Sequence, residues 1–278
     1  MHYVSKEWIV LLLSCILLTA STCEEPAEPG PSPKDLTKEK REKFGDLIHD
    51  AILQNPNDFP ILDRASKGDS VAQVYLQTLY NQVTQRIRAD RTSLETERWN
   101  SNRPWQVTIL EDNKRYAFST PGGYFYISTG FLTGLGKGYE VYYLLAFEAA
   151  NIEGRFLLNN LISEYSTATL LSIIDQPDAF SSQALTEIAE YLKEDIVYET
   201  STVQEIDKQT AKLICETSIF DRFGIIPLLN ILHFQEQWRD TRPSYSDRLD
   251  YLNTLNVTDC GATKATGAYK KMVLENLQ

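Results

Sequence analysis

In LAFEAANIEGRF, residues 145–156, one glutamate is set among apolar and small neighbours. A lone carboxylate in such surroundings is costly to bury unless something pairs with it. Glu148 therefore either faces solvent on an ordinary helix or marks a site. Other chemistry-bearing residues are scarce. The chain has three histidines: His2, His49 and His233. His233 and Glu236 stand three apart in LHFQEQW, the spacing of half a metal site, although a lone helical histidine is more often structural. There is no His-Glu-x-x-His, no Cys-x-x-Cys, no Gly-x-Ser-x-Gly and no Walker phosphate loop.

The elements that would carry Glu148 follow from periodicity. Leu36, Phe44, Leu47, Ile48 and Ile52 have helical spacing with a charged opposite face. A second amphipathic helix is expected from Asp69 or Ser70, through Val71, Val74, Tyr75, Leu79, Tyr80 and Val83, to Ile87. Three short strands are then expected at 105–110, 115–119 and 124–128. EDNK and TPGG between them have turn compositions. The pattern is helical from there almost to the end, with turns near DQPD, RFG and TRPS. This predicts one α+β domain, a small antiparallel sheet inside a helical body.

The order of these motifs resembles the HtpX-like zinc metallopeptidases (metallopeptidase family forty-eight), over about residues 70 to 255. Tyr116, Ala117 and Phe118 stand for the family's Asn-Ala-Phe. Pro121, Gly122 and Gly123 stand for its Pro-Gly-Gly turn, and Thr129, Gly130 and Phe131 for its Thr-Gly-Leu turn. The resemblance implies a mainly helical, gluzincin-like domain. In that family two histidines at i and i+4 hold zinc and the intervening glutamate activates water. Here those positions read Phe147, Glu148 and Asn151, so the base is kept and both histidine ligands are lost. Phenylalanine cannot ligate zinc and an asparagine amide is a poor ligand. Glu205 matches the family's third ligand, Gln209 stands for an aspartate, and Arg242 for a loop histidine. Thr241, Pro243, Arg248 and Leu249 match the remainder. The resemblance thus implies a degenerate member with neither catalytic residue nor bound metal, zinc returning only if atypical ligands serve. With no metal, Glu148 and Glu205 would repel, and Arg242 is expected to bridge them, since a guanidinium forks to two acceptors. The other reading is a decayed site with Glu148 open to water.

The chain of 278 residues is 42% hydrophobic and 23% charged, with a net charge of −11. That balance argues against a nucleic-acid or anionic-membrane surface as the ligand of the domain. Lys6 precedes the apolar run WIVLLLSCILLTA, which is too short to span a bilayer but suits a secretory signal. After Cys23, EEPAEPGPSP places four prolines in ten residues, an extended spacer. An export signal ending at a cysteine before such a tether resembles a bacterial lipoprotein, acylated at Cys23. Cys15 is the other cysteine in the segment, and a plain cleaved signal is the alternative. Cys215 and Cys260 could form one disulfide in an exported protein. The expected organisation is a signal segment over 1–23, a tether over 24–34, and a single domain over 35–278 whose first part, 35–68, is a helical extension.

Three functions are compatible with these residues. The first is an inactive metallopeptidase-like lipoprotein of the bacterial periplasm or outer membrane. It would bind envelope protein clients or peptide strands in assembly or quality control, with Gly123, Tyr124 and Phe125 lining an edge open to β-augmentation. The others are an active zinc metalloendopeptidase with atypical ligands and a purely structural envelope interaction protein. An occluded cleft favours the last.

Overall fold

The computed structural model describes residues 31–63, 67–89, 104–180, 182–217, 245–255 and 269–277. Cys15, Cys23, His233, Glu236, Arg242 and Cys260 lie outside these residues, as does the side chain of Cys215. The chain divides into Met1–Pro31 and a compact unit Ser32–Gln278. The compact unit begins on a reciprocal cap, in which Ser32 N donates to Asp35 Oδ2 and Lys34 N to Ser32 Oγ. Helix α1, Lys38–Gln54, follows and buries Phe44, Ile48 and Ile52, three of the residues its periodicity selects. Helix α2 spans Lys67–Ala89. No helix among the described residues is long and apolar enough to cross a membrane.

The three strands are β1 (Gln106–Leu110), β2 (Ala117–Thr120) and β3 (Tyr124–Ser128). Their order is β1-β3-β2, with β2 antiparallel and β1 parallel to β3. The expectation of an antiparallel sheet is therefore corrected to a mixed one. EDNK does not close a hairpin. Asp112 instead holds the chain out: Lys114 N and Tyr116 OH donate to its carboxylate, and Gly130 N and Thr129 Oγ1 to its carbonyl. This joins the end of β1 to the end of β3, and β2 takes the far side of β3. Pro121, Gly122 and Gly123 make the real hairpin, the two glycines at φ +90° and +91°. A Cβ on Gly123 would lie 2.4 Å from the Trp105 ring, so packing as well as backbone conformation requires glycine there.

The free side of β1 is closed by side chains. Gln73 and Gln77, one turn apart on α2, each offer a carboxamide to the strand. Gln73 Nε2 donates to Val107 O at 2.5 Å, and Ile109 N donates to Gln73 Oε1 at 3.4 Å. Val107 N donates to Gln77 Oε1 at 2.9 Å, and Gln77 Nε2 donates to Trp105 O at 2.8 Å. Residues 60–62 complete the row, with Leu62 N donating to Ile109 O and Glu111 N to Pro60 O. Every outward main-chain group from Trp105 O to Glu111 N is thus satisfied.

A short helix α3 (Thr129–Gly134) leads into α4 (Gly138–Glu153). Apart from Tyr139 and Glu153, every residue of α4 is buried, which makes it the central helix of the body. It packs on α2, on β2 and on α8 (Thr200–Thr217). Helices α5 (Phe156–Tyr165), α6 (Thr167–Asp175) and α7 (Ser182–Glu190) lie between α4 and α8 in the chain. Helix α7 ends in a π-helical turn, Tyr191–Asp195. Helix α9, Tyr245–Thr254, packs on α8.

Candidate functional site

Glu148 lies in the middle of α4 and is 2% exposed. Hydrogen bonds to one of its oxygens, Oε2, offset part of the cost of burying the carboxylate. Ser119 Oγ, on β2, donates to Glu148 Oε2 at 2.7 Å. Asn151, one turn on, places Nδ2 at 3.5 Å from the same oxygen and 2.7 Å from Tyr198 OH. The Tyr80 ring, on α2, lies near enough that Glu148 adds to the effect of burial in pushing the Tyr80 hydroxyl well above the usual tyrosine range. The expectation that Glu148 is either solvated or a site resolves as a buried, hydrogen-bonded carboxylate.

Phe147 and Asn151, the two positions aligned with zinc-binding histidines, do different work. Phe147 packs with Ala150 and Ile206, and its ring carries the guanidinium of Arg248, with Cζ 5.1 Å from the ring centroid. Phe147 has no donor atom for a metal, and the amide nitrogen of Asn151 is turned to Tyr198 and Glu148. Among the described residues no group of three or more His, Cys, Asp and Glu converges as a metal site would.

Glu205 sits on the more exposed side of α8. Lys208 Nζ lies 3.1 Å from Glu205 Oε2, and Gln209 Nε2 donates to Oε1 at 3.3 Å, both within the same helix. Its side chain is 41% exposed, so Glu148 and Glu205 occupy different environments. The proposed bridge by Arg242 falls outside the described residues. The buried guanidinium that is described belongs to Arg248. Its Nε donates to Asp207 Oδ2 at 2.8 Å and one terminal nitrogen to Oδ1 at 2.6 Å. Asp207 is fully buried and Arg248 nearly so. Burial works against the Arg248 charge, but the Asp207 carboxylate more than offsets it and holds the guanidinium above its usual range. Burial, with the same carboxylate, pushes the Tyr143 hydroxyl up.

Gly123, Tyr124 and Phe125 were expected at an open strand edge, and this placement is corrected. β3 is the middle strand, hydrogen-bonded on both sides, so its main chain has nothing left to offer a partner. The Phe125 ring packs against Tyr80. The Tyr124 ring stacks on His49 at 4.1 Å while its hydroxyl donates to Asp46. His49 Nδ1 lies 2.6 Å from Tyr126 OH, which gives this histidine a structural role.

The outer edge on the other side of the sheet belongs to β2, whose residues are all buried. Ser128 N donates to Tyr116 O, so by the alternation of an antiparallel ladder the main chain of Ala117 and Ser119 faces away from β3. Those outward groups have no hydrogen-bond partner among the described residues. Sequence reasoning missed Ser119, Asp207 and Tyr198. The alternation in YAFST carried the only signal for Ser119, and nothing local linked Asp207 to an arginine forty-one residues away. The chain matches no protein-family model and no curated protein.

Proposed function

We propose that this chain is a metallopeptidase-like protein without peptidase chemistry that works by binding extended segments of other proteins. It would be exported and held at the bacterial envelope through a lipid on Cys23. The observation that supports the loss of chemistry is the state of Glu148. A general base must reach a water and its substrate, and this carboxylate instead accepts from Ser119 and Asn151 in a buried network. The donor set around it also does not fit zinc, because Phe147 offers no ligand atom and Asn151 a poor one.

Binding falls to β2, where the outward amides and carbonyls of Ala117 and Ser119 present the two-residue period that an added strand matches. Burial of Glu148 favours a second reading, in which the helices serve only as a structural surface. One experiment separates these readings. The purified chain is exposed to zinc and desalted, its metal content is measured, and its affinity for an alternating apolar–polar peptide of about ten residues is read by fluorescence anisotropy. Metal-free protein that binds the peptide is the expected result. Stoichiometric zinc that disappears in Glu205→Ala would overturn the inactive reading. Absence of peptide binding would leave the structural one.

A further inference from the structure

The outward edge of β2 lacks hydrogen-bond partners among the described residues, yet Ala117 and Ser119 are only 5% and 2% exposed. This row of main-chain groups is covered, yet no described residue bonds to it. Among the described residues the cover includes the π-helical turn Tyr191–Asp195, which packs on β2. A π turn carries an extra residue in the helical ladder, a geometry common at functional positions.

The segment is held at separate points. At its start, Leu192 is buried in the main core and Tyr191 OH donates to Asn160 Oδ1 at 2.6 Å. Lys193 then reaches across. Its Nζ lies 4.7 Å above the Tyr116 ring and 5.1 Å above the Phe59 ring, and it donates to Asp58 O at 3.1 Å. Beyond the turn, Asn160 Nδ2 donates to Val197 O, and Tyr198 OH accepts from Asn151. Residues 193–198 therefore run from the β2 strand to the Asn151–Glu148 pair. Tyr191 and Ile196 also pack against the core, and Lys193 adds one ammonium set on two aromatic faces and a carbonyl.

We propose that residues 193–198 are a strap over the β2 edge, latched by Lys193, and that an extended polypeptide segment displaces the strap to pair with Ala117 and Ser119. The proposal rests on the binding reading above and adds to it the device that controls access. Leu192, fixed in the core, is the point about which the strap turns. Opening separates Lys193 from Tyr116 and Phe59 and frees Tyr198 from Asn151. The bound segment then supplies the hydrogen bonds that the edge lacks while closed. A site hidden in the resting state and a binding function are thereby compatible.

The test is hydrogen exchange by mass spectrometry on the full chain with Lys193, Lys193→Gln or Lys193→Arg, followed by anisotropy with the alternating peptide. In Lys193→Gln, segments 191–198 and 116–120 are expected to exchange about thirtyfold faster, the factor a desolvated cation–π latch carries, while 141–152 is unchanged. Lys193→Arg, which keeps the cation, is expected to match the parent. The peptide is expected to bind Lys193→Gln tighter by the same factor, because the open state no longer has to be populated against the latch. Unchanged exchange at both segments overturns the strap, as does acceleration spread equally over 141–152. Faster exchange at the two segments without tighter peptide binding keeps the strap but overturns its occupant, and the binding reading with it.

Discussion

Ser119 Oγ donates to Glu148 Oε2 at 2.7 Å and so ties the edge strand of the sheet to the middle of the central helix. The bond joins residues twenty-nine apart in the chain and lies wholly in the interior. Removing the hydroxyl leaves a buried carboxylate short of a donor. Ser119→Ala is expected to cost about 1.5–3 kcal/mol, the range for a hydrogen bond to a charged group. Urea unfolding measures it, and an unchanged midpoint would mean that Glu148 does not depend on this donor.

The Asp207–Arg248 pair gives a sharper test because both partners are buried. Arg248→Met strands Asp207 and is expected to destabilise by about 3–5 kcal/mol. The double variant Asp207→Leu, Arg248→Met removes both charges and is expected to recover most of that loss. A double-mutant cycle by denaturant unfolding reads the coupling. If the double variant is as unstable as Arg248→Met alone, the cost comes from lost packing on Phe147 rather than from the stranded charge.

Much of the fold was legible because burial follows period. Phe44, Ile48 and Ile52 announced α1, and Tyr124 to Ser128 announced β3 to the residue. Strand order was not legible. Alternation in WQVTIL or YAFST says that a strand has two faces, not which strand lies beside it, and the docking of Asp112 onto Gly130 decided that. Within the site, Glu148 was conspicuous by its apolar neighbours. Its donor Ser119 was not, since a serine in a strand looks the same whether it meets water or a carboxylate. Asp207 was passed over for Glu205, two residues before it, since nothing local says which face of α8 turns inward.

The carboxamide seal on β1 makes Gln73 more important than a glutamine on a helix usually is. Gln73→Leu keeps a side chain of similar size but leaves Val107 O and Ile109 N without the carboxamide. A loss of about 1–3 kcal/mol is expected for each group left unsatisfied. The uncovered edge is also a template for another chain. Urea unfolding together with light scattering should show lower stability and concentration-dependent association. A variant as stable and as monomeric as the parent would show that water replaces the carboxamide at no cost.

Alkaline pH tests the buried tyrosines. Burial pushes the hydroxyls of Tyr80, Tyr126 and Tyr143 well above the usual tyrosine range, joined at Tyr80 by the charge of Glu148. In the unfolded chain these groups titrate near 10.0, the ordinary value. Below that pH both states hold the proton and the contribution is constant. Above it the unfolded chain releases protons that the folded chain keeps, so stability falls as pH rises. The loss is about 1.4 kcal/mol per pH unit for each such tyrosine. Tyr80 is the informative member, because its buried hydroxyl has no hydrogen-bond partner among the described residues. Tyr80→Phe removes that hydroxyl together with one titrating group. Its stability at neutral pH is expected to equal or exceed that of the parent, and its decline above pH 10 to be shallower by one tyrosine. Denaturant midpoints measured from neutral to alkaline pH decide the matter. A variant weaker than the parent at neutral pH, with the same alkaline slope, would mean that the Tyr80 hydroxyl is bonded in solution and that burial does not suppress its ionisation.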